Sequence, residues 1–171
     1  MIKRTLKQVH EMAEGLNDIS PFQSKGINGV TIDSRTVKEG CLFIPLKGEQ
    51  VDGHQYVKQA LAQGAAASFW QRDVPNPPDD LPIIIVENTE KALQQLARSY
   101  RQELNIKVIG ITGSNGKTTT KDMTAALLAT AYKVHKTNGN FNNHLGLPLT
   151  VLSRAEDSEV AVLEMGMSSR G

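Results

Sequence analysis

Cysteine is almost missing from this chain. Cys41 is the only one among 171 residues, which excludes an internal disulfide and fits a reducing compartment. An excess of either charge is missing as well. The formal net charge is +1, so no broad basic surface announces a nucleic-acid partner or an anionic membrane. Long apolar runs are absent too: stretches such as residues 81–86 fall far short of the roughly 20 residues that cross a bilayer, so no membrane insertion is expected. The opening MIKRTLKQVHEM carries charge but no apolar stretch of signal-peptide length. There is no internal repeat and no long low-complexity segment. What remains, 39% hydrophobic and 22% charged, is ordinary globular composition, enough for one or two domains with a real core. A cytoplasmic monomer is expected.

The first hundred residues alternate short elements. Thr5-Leu6-Lys7-Gln8 has the capping-box pattern, and Leu6, Val9, Met12 and Ala13 follow a helical stripe that Gly15 would stop. INGVTIDSR and GCLFIPL read as strands broken by a Ser-Arg-Thr turn. HQYVKQALAQGA has helical spacing ending at Gly64, with His54 at its start, and AASFW reads as a short buried strand. DVPNPPDDLP is too rich in proline and aspartate for helix or central strand. IIIVEN is an apolar strand, and from Thr89 a helix carries Ala92, Leu93, Leu96, Ala97 and Tyr100 on one face. Trp70 and Tyr100 read as core residues.

After RQELNI the style changes to strand, glycine loop, helix, strand, loop, short helix, strand. KVIGIT and EVAVLEM are apolar almost throughout, as strands covered on both faces are. Alternating strands and helices imply a mostly parallel sheet with right-handed crossovers. The fold class is α/β: a small N-terminal α/β unit over residues 1–103, then the start of a second, parallel-sheet unit over residues 104–171. Strands starting near Lys107, Lys133 and Glu159 make a small sheet for a doubly wound domain, and EMGMSSRG follows directly on a strand. A cut through a larger protein is therefore expected.

The chemistry concentrates in KVIGITGSNGKTTTKDM, residues 107–123. A buried strand leads into Gly113, Ser114, Asn115 and Gly116, and Lys117-Thr118-Thr119 opens a helix. Glycines let backbone N–H groups converge on phosphate oxygens, and the helix adds its free N–H groups and the positive end of its dipole. Lys117 supplies full charge, Thr118 a hydroxyl able to ligate Mg²⁺, and Thr119 a second hydroxyl. The strict spacing Gly-x-x-x-x-Gly-Lys-Ser/Thr is not met, since Ile111 holds the first glycine slot. A Mg²⁺·nucleotide site also wants a carboxylate at the end of a neighbouring strand, and Glu164 follows VAVL.

GITGSNGKTTTKDM resembles the ATP loop of the Mur ligase family, the ATP-dependent amide-forming enzymes of peptidoglycan precursor synthesis, whose loops typically read Thr-Gly-Ser/Thr-Asn-Gly-Lys-Thr-Thr. The displaced first glycine is a habit of that family. GNFNNHLGLPLTVL (139–152) and EMGMSSRG (164–171) resemble the branch that adds D-alanyl-D-alanine to UDP-N-acetylmuramoyl-tripeptide. The sister branch, which adds the third, diamino-acid residue, usually has Thr-Thr-Pro and Ser-Ser-His at these places. VTIDSRTVKEGCLFIPLKGEQVDGHQYVKQALAQGA resembles the N-terminal UDP-binding domain of both branches, so the likeness covers nearly the whole chain.

The resemblance implies ATP and Mg²⁺ as cofactors, with Gly113 to Thr119 on the nucleotide and Thr118 and Glu164 on the metal. It implies catalysis with Lys117, Asn142 and Asn143, the asparagines lying near the γ-phosphate. Contacts to UDP-muramoyl peptide are implied for Ser34, Arg35, Lys47, Gly48, Glu49, Gln50 and Ser168. The residues alone leave alternatives open. Ser34 and Arg35 could meet uracil or phosphate, or be a solvated turn. The loop after Lys47 could offer N–H groups to a diphosphate or be a bland surface loop. The implied reaction activates the tripeptide carboxylate as an acyl phosphate, which the amine of D-alanyl-D-alanine then displaces. The 171-residue chain alone is expected not to turn over. The rivals are the sister ligase, a non-catalytic UDP-substrate-binding module and a generic phosphate-loop switch.

Overall fold

The computed structural model describes residues 1–48, 50–139 and 141–166. The described elements, in order, are β1 (Lys3–Thr5), α1 (Leu6–Met12), β2 (Gly26–Asn28), β3 (Val30–Thr31), β4 (Leu42–Phe43), α2 (Val57–Ala62), β5 (Ala67–Gln71), β6 (Ile83–Val86), α3 (Thr89–Glu103), β7 (Lys107–Ile111), α4 (Lys117–Leu128), β8 (Val134–Lys136), α5 (Gly146–Ser153) and β9 (Val160–Glu164). Single 3-10 turns lie at Ser34–Thr36 and Gly53–Tyr56. The architecture is α/β, with two separate parallel sheets and a small antiparallel ribbon.

β1 and β2 form the ribbon, and β3-β4-β5-β6 form the first parallel sheet. INGVTIDSR is therefore not one strand. Gly29 sits at φ 87°, a left-handed conformation that glycine adopts cheaply, and it swings the chain from the antiparallel β2 to the parallel β3. Both faces of the sheet are covered. Leu42, Ile44, Ala67, Phe69, Ile84 and Val86 face α1 and α3, whereas Phe43, Trp70 and Ile83 face α2 with Cys41. The alternation follows the two-residue period of a strand, and double coverage explains why these strands read as continuous apolar runs.

The helices start as their sequences dictate. In α1, Gln8 N–H donates to the Thr5 hydroxyl at 3.3 Å and Thr5 N–H donates back to the Gln8 side chain at 2.9 Å, a reciprocal cap. Its end differs from expectation. The helix stops at Met12, and Glu14 rather than Gly15 takes the left-handed conformation, at φ 56°. The Asn88 side chain caps α3, accepting from Lys91 N–H at 2.9 Å, and the predicted stripe Ala92, Leu93, Leu96, Ala97, Tyr100 is buried.

The second sheet runs β7-β9-β8, all parallel, with β9 central. Ala125 of α4 covers Val160 and Val162. β9 is buried throughout, while β7 is half-buried to exposed within this chain. Among the described residues it pairs with β9 alone. α5 leaves this sheet and lies against α3. Leu152 joins the core of the first unit, flanked by Leu145, Leu149 and Val151. The Leu152 carbonyl also accepts Ile2 N–H at 2.7 Å.

Candidate functional site

β7 runs straight into the glycine loop. Gly113 at φ 149° and Gly116 at φ 76° turn the backbone through conformations that a side chain disfavours. Gly116 directly precedes α4, so the loop ends on the positive pole of a twelve-residue helix. Ser114 and Asn115 are exposed, and among the described residues the N–H groups of Ser114, Asn115 and Gly116 take no protein acceptor. They are free for an anion, as the nest geometry of such loops requires. Lys117 folds back over the loop, its Nζ donating to the Gly113 carbonyl at 2.7 Å. Thr119 is exposed on the first turn of α4.

The carboxylate expected at the strand end is in place. Glu164 closes β9 and is 2% exposed. Thr118 Oγ1 donates to its Oε2 at 3.0 Å, and Asn142 Nδ2 donates to its Oε1 at 2.8 Å. Its own N–H donates to the buried Thr137 hydroxyl at 3.0 Å. Asn143 does not join this cluster. Its Oδ1 accepts the N–H groups of Leu145 and Gly146, at 3.2 and 2.7 Å, and so caps the start of α5. Among the described residues no three His, Cys, Asp or Glu side chains gather around a common point. The donors that do meet, one hydroxyl and one carboxylate beside a phosphate loop, fit Mg²⁺, which takes few protein oxygens and fills its shell with phosphate and water.

A second site lies in the first unit. A cleft of about 900 Å³ is lined by Ser34, Arg35, Lys47, Gly48, Tyr56 and, from the second unit, His144. Arg35 is fixed by Asp33, whose carboxyl the guanidinium holds down at about 2, with contacts of 2.7 and 2.9 Å. Lys47 Nζ reaches both oxygens of Asp73 at 2.9 Å. The loop after Lys47 closes on itself, with Gly48 N–H donating to the Val51 carbonyl at 2.9 Å. That N–H is therefore engaged, and Arg35 and Lys47 bring two cationic side chains to the lining. Gln50 is exposed and outside the lining. Glu49, Asn140 and Ser168 lie outside the described residues.

Three residues of these sites escaped sequence reasoning. His54 is a buried linchpin rather than a simple helix start: its Nδ1 pairs with Asp52 and its Nε2 accepts Gln71 N–H at 3.0 Å. No motif flags it. Thr137, 0% exposed, needed the β8–β9 register to be seen. Lys121 is 2% exposed beneath Glu164, and its i, i+4 relation to the buried Ala125 was the available signal.

Parallel sheet, glycine loop, helix terminus, lysine, hydroxyl and strand-end carboxylate define a phosphate-loop nucleotide-binding architecture. The family model described as Mur ligase family, catalytic domain matches residues 26–101, and the Mur ligase middle domain matches residues 111–171. The UDP-N-acetylmuramoyl-tripeptide--D-alanyl-D-alanine ligase of Bacillus subtilis is 57% identical across all of this chain, which covers 37% of that protein. Its Escherichia coli counterpart is 40% identical, again across the whole chain and 36% of the relative. A crystal structure of MurF from Acinetobacter baumannii superposes with a TM-score of 0.90 at 32% identity, over 100% of this chain and 37% of that one. MurF ligase from Thermotoga maritima in complex with ADP gives 0.71 at 38% identity, over 81% of this chain and 32% of the other. The chain belongs to the Mur ligase family. It spans about a third of the length of these relatives.

Proposed function

We propose that this chain is the front part of a cytoplasmic ATP- and Mg²⁺-dependent ligase that joins D-alanyl-D-alanine to UDP-N-acetylmuramoyl-tripeptide through an acyl phosphate. Residues 1–103 serve as the UDP-muramoyl-peptide-binding unit, and residues 104–171 open the ATP-binding unit. The observation that carries the reading is the placement of Glu164 between Thr118 and Asn142 at the mouth of the loop. It supports a site for a nucleotide with its cation. The names of the relatives, at 57% and 40% identity, supply the substrates.

The chemistry asks the protein to align two anions and to neutralise charge as it develops. The N–H groups of the loop hold the β- and γ-phosphates, and Lys117 leaves the Gly113 carbonyl to join them. Asn142 fixes the Glu164 carboxylate in the orientation a cation needs. Mg²⁺, when bound, offsets the negative charge of the group being transferred. In the cleft, Arg35 and Lys47 exchange Asp33 and Asp73 for the diphosphate of the UDP handle. Binding energy gained there positions the distant carboxylate of the peptide.

A phosphate-release assay on the protein carrying this chain at its full length tests the proposal. UDP-muramoyl tripeptide is offered with D-alanyl-D-alanine or with a diamino acid. Release is expected only with the dipeptide, and it is expected to vanish in Lys117→Ala. Release with the diamino acid alone, or nucleotide hydrolysis indifferent to the UDP substrate, would overturn the proposal.

A further inference from the structure

Lys121 is a buried cation that the phosphate-loop chemistry leaves unused. It lies on α4 one turn beyond Thr118 and is 2% exposed. Its Nζ stands 3.8 Å from Glu164 Oε2 and 3.7 Å from Asp122 Oδ1. These two acids are not equivalent. Asp122 is about half exposed and already has a solvent-side partner, Lys136, at 2.7 Å. The Glu164 side chain is 3% exposed, and among the described residues Lys121 is the sole cation within 4 Å of it. Its other partners, the Asn142 amide and the Thr118 hydroxyl, are neutral. A carboxylate withdrawn from water costs several kcal/mol unless an opposite charge faces it. At 3.8 Å the ammonium acts through charge rather than a hydrogen bond, so the lone pairs of Oε2 stay available to Thr118 and to an incoming ion.

We infer that Lys121 is the resident counter-charge of Glu164, a positioning residue that holds the buried carboxylate folded and aimed at the loop mouth before a divalent cation arrives. The inference rests on the reading of Glu164 as a cation ligand. It gives Lys121 and the metal a shared target. The ammonium keeps the empty site intact, and a divalent ion with nucleotide takes over that duty. Without Lys121 the loop becomes dependent on metal for its stability, whereas a lysine that merely fills space would matter equally with and without metal.

Thermal unfolding of the full chain in EDTA, and in Mg²⁺ with ADP, decides between these outcomes for Lys121→Met, Lys121→Arg, Glu164→Gln and the double variant Lys121→Met/Glu164→Gln. In EDTA, Lys121→Met is expected to melt roughly 5–10 °C below the parent, with Lys121→Arg much closer to it. The double variant is expected to melt above Lys121→Met, because the orphaned charge is gone. Mg²⁺ with ADP is expected to raise Lys121→Met by more degrees than it raises the parent. An equal loss in both buffers with no relief in the double variant would overturn the inference. If instead Mg²⁺ with ADP raised Glu164→Gln as much as the parent, the cation-ligand reading would fail, while the EDTA comparison would still decide the pairing.

Discussion

Asn142 Nδ2 donates to Glu164 Oε1 at 2.8 Å across 22 residues of sequence. The backbone repeats the link, with Gly166 N–H donating to the Asn142 carbonyl at 2.7 Å. The amide thus belongs to the loop after β8 and the carboxylate to the end of β9, and each fixes the other. Asn142→Ala removes the side-chain half of this clasp and leaves the backbone half. Turnover of the full-length protein is expected to fall by roughly 100-fold or more, as when a preorganised donor is lost, while the melting temperature drops only a few degrees. Steady-state kinetics alongside a thermal scan check both parts.

The cleft cations allow a cleaner separation of binding from folding. The Lys47 side chain is 40% exposed, and its partner Asp73 is 65% exposed. Exposed pairs contribute about 0–1 kcal/mol to stability, so Lys47→Ala should leave the urea midpoint almost unchanged. Its affinity for a UDP-linked muramoyl peptide, read by calorimetry, is expected to weaken roughly 10-fold or more, the usual worth of a charge-assisted contact. Unaltered affinity would place the UDP handle elsewhere.

Gly116 sits at φ 76° with open space where a Cβ would stand. Gly116→Ala therefore meets no clash and pays only in backbone strain, about 1–2 kcal/mol. The expected outcome is a modest loss of stability with a larger loss of nucleotide affinity, because relaxing the strain would turn loop N–H groups away from the phosphates. Chemical denaturation and ADP titration of the same sample measure the two effects.

Much of this was legible in the sequence, and the reasons are physical. Residues 107–119 announced their strand, loop and helix because glycine spacing and an apolar run have few other meanings, and the α3 stripe repeats at the helical period. What the sequence hid was set by distant partners. Nothing local says that Gly29 switches sheets or that Glu14 ends α1 before Gly15. The partner of Lys121, Glu164, lies 43 positions later, and only the fold brings the two together.

His135 carries a pH signature. Its Nε2 donates to the Thr150 carbonyl at 2.9 Å, and burial pushes its pKa below the ordinary 6.5. Below 6.5 the unfolded chain takes up a proton that the folded chain resists, so stability is fully present above that pH and is lost as pH falls toward the folded pKa. Urea midpoints measured between about pH 7.5 and 5 should decline in the parent, and His135→Gln should flatten that part of the decline.

Tyr100 is 0% exposed and its hydroxyl has no partner among the described residues, while Arg4 stacks 5.1 Å from the ring centre. Tyr100→Phe keeps the ring and removes an unsatisfied group. The expected change is neutral or stabilising by up to about 1 kcal/mol, and a destabilised variant would reveal a hidden acceptor.

Because Leu152 and its neighbours on α5 are seated against α3 and β3, severing the chain after α3 would open an oily trench on one piece and strand an unshielded helix on the other. Neither fragment should behave well in solution. Melting of the intact chain should proceed as a single event.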